Sequence, residues 1–167
     1  IRLSSLEPTL ITEEFVKRLS KLAKICDHFH LSLQSGCNET LKRMNRHYTT
    51  EDFKKATELL RKTYPNVALT TDIIVGFPGE TEEEFNITYD FLKEINFYKM
   101  HVFKYSRRQG TRAAVMADQV PEQVKARRSD VLLELEKTMS REYRERFAGS
   151  RVSVSYTHLT LPTTPYV

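Results

Sequence analysis

The sequence predicts an α/β fold of four parallel strand–helix units, arranged as part of a barrel. Three observations carry that reading. Four apolar or alternating runs are each followed by a helical pattern, and such repeats imply a parallel sheet with right-handed crossovers. The strands are polar on one face, unlike those of an open sheet covered on both sides. Each strand also ends in a polar cluster, where ligands of parallel α/β folds bind.

The first strand spans about residues 1–6, and Thr12 caps a helix with Phe15, Val16, Leu19, Leu22 and Ala23 on one face. The second strand covers 28–33. Phe29, Leu31 and Leu33 face the helices, and His28, His30, Ser32 and Gln34 line the opposite face. Asn38 caps a short helix with Leu41 and Met44 inward. Thr49 or Thr50 opens the next, which carries Phe53, Ala56, Leu59 and Leu60. The third strand is 68–75, with Thr70 and Asp72 on its polar face. Thr81 and Glu84 form a capping box for a helix burying Phe85, Leu92 and Tyr89. The fourth strand is 100–105, with His101 and Tyr105 on one face. A long helix starts near Pro121 and runs towards Phe147, its stripe being Val124, Val131, Leu132, Leu135, Met139 and Tyr143. Four strands do not close a barrel, so the first keeps an unpaired edge. With the non-Met start, that predicts a piece of a longer protein, with a partial core domain over 1–147 and a suspect tail. Residues 152–167 hold no Lys, Arg, Asp or Glu and read as foreign sequence.

A composition 40% hydrophobic and 29% charged is that of a globular chain. No run of about 18 apolar residues predicts a membrane span. Two cysteines, Cys26 and Cys37, lack metal-ligand spacing, and a reduced intracellular compartment is the simplest reading. The net charge is +4; residues 107–151 hold 11 Lys/Arg against 7 Asp/Glu, so the whole excess lies there. Such a segment suits a polyanion such as RNA, and equally a solvated helix face laced with ion pairs.

Among the strand exits, the Gly76–Thr81 turn has no Walker lysine, and Glu82, Glu83 and Glu84 would repel a phosphate at the helix start. Cys26, His28 and His30 share a face, but packed histidines explain them better than zinc, and no metal site is expected. Ser35 lies outside any nucleophile elbow. Glu7, Gln34, Arg46 and Asp72 form a more coherent set: carboxylates to accept from ammonium or hydroxyl groups, an amide, and a guanidinium able to hold a carboxylate. They suit an amino acid joined to a nucleoside. Read from spacing alone, they are more readily four unrelated polar residues.

RLSSLEP (2–8), HFHLSLQSGCNETLKRMNRHYT (28–49), TTDIIVGFPGETEEEF (70–85) and HVFKYSRRQGT (101–111) together resemble the radical S-adenosylmethionine methylthiotransferases. The Cys37 context and the 28–33 run are most similar to the branch acting on threonylcarbamoyladenosine in tRNA. The resemblance implies a six-unit partial (β/α) TIM-like barrel with S-adenosylmethionine across its rim, held by Glu7, Gln34, Arg46 and Asp72, with Ser106 against the adenine. It implies radical methylthiolation at C2 of the modified adenosine beside the anticodon. It also implies two 4Fe-4S clusters, an electron donor such as flavodoxin or ferredoxin, a cytoplasmic location, and, over 148–167, a truncated linker to a missing RNA-binding domain with a non-native tail. Arg107, Arg108 and Arg112 become candidates for contact with the anticodon stem-loop. The Cys-x-x-x-Cys-x-x-Cys loop that holds the radical cluster in this family is absent from the chain, so these residues by themselves are expected to be inactive. The isopentenyladenosine and ribosomal-protein branches remain open alternatives. So do a non-radical barrel enzyme, such as an aldolase or a phosphate-binding isomerase, and a non-catalytic RNA-binding piece.

Overall fold

A computed structural model describes residues 1–151. The expected tail change at 152–167 lies outside the described residues. The elements are β1 (Leu3–Leu6), α1 (Glu13–Leu19), β2 (His28–Gln34), α2 (Asn38–Arg43), α3 (Thr50–Thr63), β3 (Ala68–Val75), α4 (Glu82–Ile95), β4 (Lys99–Lys104) and α5 (Glu122–Glu145). Short 3-10 turns cover Pro8–Leu10 and Arg112–Val115.

All four strands are parallel, in the order β1-β2-β3-β4. With right-handed crossovers, a consecutive order places the connecting helices on one side of the sheet. The other side is the polar one. On β2 the burial alternates: Phe29, Leu31 and Leu33 are fully buried, and His28, His30, Ser32 and Gln34 are half-buried. On β4, His101 and Phe103 are exposed, Phe103 by 53%. The core lies between the sheet and its helices, where Phe53, Leu60, Leu69, Ile73, Leu92, Phe97 and Leu132 are buried.

Two helices start from full capping boxes, Thr49 with Asp52 and Thr81 with Glu84. Thr49 rather than Thr50 is therefore the cap of α3. Several expectations are corrected. β1 starts at Leu3. The fourth strand runs from Lys99, with Tyr105 just past its end. α1 stops at Leu19, so Leu22 and Ala23 lie beyond it and are exposed; Ile25 packs on the core instead. Asn38 is not a cap of its own helix. Its Oδ1 accepts from the Thr50 amide and hydroxyl, and its Nδ2 donates to Glu51, so it ties α2 to the start of α3. Met44 is half-buried rather than inward, and Val131 is 37% exposed. α5 opens at Glu122 after Pro121 and ends at Glu145.

Both β1 and β2 carry an extra residue just before they end. Leu3 pairs with Phe29 but Leu6 with Leu31; Ser32 pairs with Asp72 but Gln34 with Ile73. Ser5 (φ 58°) and Gln34 (φ 70°) are left-handed at these positions. The Thr71 hydroxyl fills the gap in the β2–β3 ladder, donating to Leu31 O at 2.6 Å and accepting from Leu33 N at 3.2 Å. Bulges re-aim the side chains that follow them, and these two set the start of the polar rim.

Candidate functional site

At the carboxyl ends of β2, β3 and β4 the polar face opens into a cavity of about 520 Å³, lined among others by Gln34, Asp72, Phe103, Tyr105, Ser106 and Arg108. Of the expected cofactor residues, Gln34, Asp72 and Ser106 thus share one cavity. Glu7 and Arg46 do not line it. Glu7 follows β1 and Arg46 follows α2, and a tyrosine not singled out from the sequence links them. Tyr48 is buried and donates its hydroxyl to Leu33 O at 3.1 Å. Burial pushes its phenol up to about 12, the Arg46 charge opposes that rise, and the Glu7 carboxylate adds to it. Glu7 and Arg46 therefore both bear on the phenol beneath the Leu33–Gln34 turn. A Tyr two residues after Arg46 was the only available signal.

The wall of the cavity is braced from outside. Phe77 meets Tyr105 edge-on at 5.3 Å. Lys125 Nζ donates to Tyr105 O at 3.0 Å, and Glu122 bridges Lys104 (2.6 Å) and Lys125 (2.9 Å), which hold its carboxyl down at about 2. Lys104 borders the cavity, but its Nζ is paired with Glu122 of α5 rather than free as a Schiff-base lysine would be.

The Gly76–Thr81 turn is structural. Gly76 is left-handed, and a Cβ there would meet Lys125 Cγ at 2.1 Å. Glu80 accepts from the Gly76 amide at 2.6 Å and from Arg128 Nη1 at 2.7 Å. Burial pushes the Glu80 carboxyl up, while the amide and the guanidinium pull against it. At the start of α4, Glu84 accepts from Arg43 and Thr40, and Arg43 holds its carboxyl below the ordinary range. Ser35 is fully buried and shares a hydrogen bond with Thr88 Oγ1 at 3.2 Å, which removes it as an accessible nucleophile.

The three arginines expected at RNA take three separate positions. Arg108 lines the cavity. Arg107 donates from Nε and Nη2 to Ala114 O at 3.2 and 2.9 Å, folding the loop after β4 on itself. Arg112 borders a different cleft with Lys42, Arg43 and Asn45. Many cations of the basic segment have partners within the chain: Arg127 and Arg128 with Glu82, Lys137 with Glu134, and Arg146 with Pro65 O. The ion-paired reading of that segment therefore accounts for much of its charge.

Among the described residues, His30, Asp72 and His101 bring three ligand-type atoms within 4.8 Å of one another. Cys26 and His28 are not part of that group. No helix among the described residues is long and apolar enough to cross a membrane.

The sequence model of the radical SAM superfamily matches residues 4–92, more than half of the chain and three of its four strands. The chain belongs to the radical SAM superfamily. Over 154 residues it is 49% identical to the threonylcarbamoyladenosine tRNA methylthiotransferase MtaB of Bacillus subtilis, covering 92% of this chain and 34% of that protein. It is 44% identical, again over 92% of its length, to the tRNA-2-methylthio-N(6)-dimethylallyladenosine synthase of Acetivibrio thermocellus, of which it covers 32%. The chain thus spans about a third of the length of these curated relatives. In fold, this radical SAM chain is similar to coproporphyrinogen III oxidase HemN of Escherichia coli, with a TM-score of 0.70 at 19% identity over 83% of this chain and 32% of that one. It is also similar to the methyltransferase TsrM of Kitasatospora setae, with a TM-score of 0.54 at 22% identity over 65% of this chain and 21% of that one. Both structures support the four-stranded sheet as a segment of a TIM-like barrel.

The superfamily implies S-adenosylmethionine and a 4Fe-4S cluster. The nucleoside part of the cofactor fits the residues present. Tyr105, which lines the cavity, has its Oη buried without a hydrogen-bond partner among the described residues, and buried polar atoms normally have one. A cluster does not fit them. Cys37 is buried behind the Gln34 turn, and Cys26 is exposed at the opposite end of β2.

Proposed function

We propose that this chain is the cofactor-gripping portion of a tRNA methylthiotransferase that modifies C2 of threonylcarbamoyladenosine beside the anticodon. The observation that supports it is the single cavity at the carboxyl rim where Gln34, Asp72, Tyr105 and Ser106 converge. When bound, S-adenosylmethionine and a 4Fe-4S cluster supply a carbon-centred radical able to take hydrogen from an aromatic C–H.

The chain's own residues bind and orient. Asp72 accepts from ribose hydroxyls, and Ser106 and the backbone after β4 lie against the adenine. Gln34 and Arg46 serve the methionyl carboxylate, and Glu7 its ammonium group. The exposed lumen face of β4, with His101 and Phe103, turns towards the modified nucleoside. Arg107, Arg108 and Arg112 are the candidates for contact with the anticodon stem-loop, and contacts to phosphate there would make binding strongly salt-dependent. Two 4Fe-4S clusters would be held by residues outside this chain, with flavodoxin or ferredoxin as the kind of electron donor they would need, in the cytoplasm.

The relatives of the dimethylallyladenosine type cover the chain as fully as those of the MtaB type, so the test must separate the two. The full-length gene is expressed in a bacterium lacking both methylthiotransferases, and its tRNA nucleosides are analysed by mass spectrometry. The 2-methylthio derivative of threonylcarbamoyladenosine is expected. Methylthiolation of dimethylallyladenosine instead assigns the other branch, and methylthiolation of neither overturns the proposal.

A further inference from the structure

The polar face of the sheet holds a line of polar contacts, from Thr70 through His30 to Asp72. His30 on β2 pairs in register with Thr70 on β3, two residues below Asp72. Its Nδ1 lies 2.9 Å from Thr70 Oγ1, and its Nε2 lies 3.3 Å from Asp72 Oδ2. The imidazole is largely buried, and the carboxylate is about one-third exposed at the cavity. Nδ1 therefore has a hydrogen-bond partner in Thr70, and Nε2 has the Asp72 carboxylate as its neighbour.

The Thr70–His30 hydrogen bond holds the ring, and the ring stands against one carboxylate oxygen of Asp72, Oδ2, at 3.3 Å. A tautomer that points Nε2–H at Asp72 leaves Nδ1 to accept from the Thr70 hydroxyl, so both ring nitrogens can be used without a change in the fold. A carboxylate approached on one oxygen leaves the second to accept from sugar hydroxyls in the cavity.

We propose that His30 is a positioning residue: through Asp72 it fixes the acceptor for the ribose diol of a nucleoside in the cavity. This rests on the reading that the cavity takes the nucleoside end of the cofactor. It adds that recognition of the sugar depends on a histidine that does not touch it.

The test pairs a change in the protein with a change in the ligand, in the full-length protein. Affinities for S-adenosylhomocysteine and for its 2′,3′-dideoxyribose analogue are measured by calorimetry. His30→Ala is expected to weaken the ribose ligand about tenfold, as for one hydrogen bond to a charged group, and to leave the dideoxy ligand within about twofold. His30→Gln, whose amide reaches the same carboxylate oxygen, is expected to recover most of the loss. Thr70→Val removes only the hydroxyl that holds the ring and is expected to act in the same direction, which keeps the test open if His30→Ala folds poorly. Equal weakening of both ligands, or of neither, overturns the positioning role while leaving the cofactor reading intact. If the unsubstituted protein binds neither ligand, the cofactor reading fails and this proposal with it. Stoichiometric zinc binding abolished by both His30→Ala and His101→Ala would also overturn it, by making His30 a ligand.

Discussion

Replacing Arg128 by methionine tests what holds the Gly76–Thr81 turn against α5. The Arg128 side chain is 4% exposed and that of Glu80 1%. Arg128 Nη1 donates to Glu80 Oε2 at 2.7 Å and to Glu80 O at 3.1 Å, Nη2 donates to Glu82 at 3.1 Å, and the guanidinium lies over the Phe85 ring. Methionine keeps much of the aliphatic stem and leaves the Glu80 carboxylate with the Gly76 amide alone. Removing one partner of a buried pair costs about 3–5 kcal/mol, because the remaining charge is uncompensated. In urea that shifts the midpoint by about 2 M with an unchanged slope. The sign of the pH dependence follows from Glu80. Burial raises its folded-state carboxyl above the unfolded value, and losing Arg128 removes an opposing influence. A raised group favours the fold below its unfolded value and loses that contribution as pH rises through the folded one. The deficit of Arg128→Met is therefore smaller at pH 5 than at pH 7. Arg127→Met is the control. Its pair with Glu82 is 55% and 43% exposed, and such pairs contribute no more than about 1 kcal/mol. If Arg128→Met falls within that same range, or if its deficit does not change with pH, the buried pair is not what anchors the turn.

Glu84 gives a pH dependence of the opposite sign. Arg43 holds its carboxyl below the usual 4.5, so its contribution is present above that value and lost as pH falls through the folded one; acid unfolding followed by circular dichroism should be shallower for Glu84→Gln. Gly76→Ala should lower the melting temperature by an amount equivalent to more than about 1 kcal/mol, from the left-handed backbone and the clash with Lys125. Adding Lys125→Ala should recover only the steric share, and full recovery would contradict the backbone part of the argument.

Where one residue's own chemistry decided the structure, the sequence was readable. Ala68–Val75 is bounded by Asn66 and Gly76 and came out to the residue, and Thr81 with Glu84 made the expected box. Where distant partners decide, it was not. Leu22 and Ala23 keep helical spacing, but the chain must turn back by Ile25 to enter β2. Asn38 has the side chain of a cap, yet its acceptor goes to Thr50, across the α2–α3 connection. The bulges at Ser5 and Gln34 leave no mark in a period-two pattern. In the site, the positions of Gln34, Asp72 and Ser106 followed from their being strand exits. That Glu7 and Arg46 stand outside the cavity, by contrast, depends on how the chain folds after β1 and after α2, which no local pattern encodes. The tie between His30 and Asp72 needs the β2–β3 register, which neither strand encodes alone.

The left-handed backbone at Gln34 bears on how tightly any guest can be held. A non-glycine residue in that conformation is disfavoured in the free chain, so the ladder on one side and the Tyr48 anchor on the other must impose it as the protein folds. The amide then arrives already oriented, and a guest has little freedom left to take away from it. Mutations that relax Gln34 should therefore show up first as looser occupancy of a normally folded rim, well before any loss of the sheet itself.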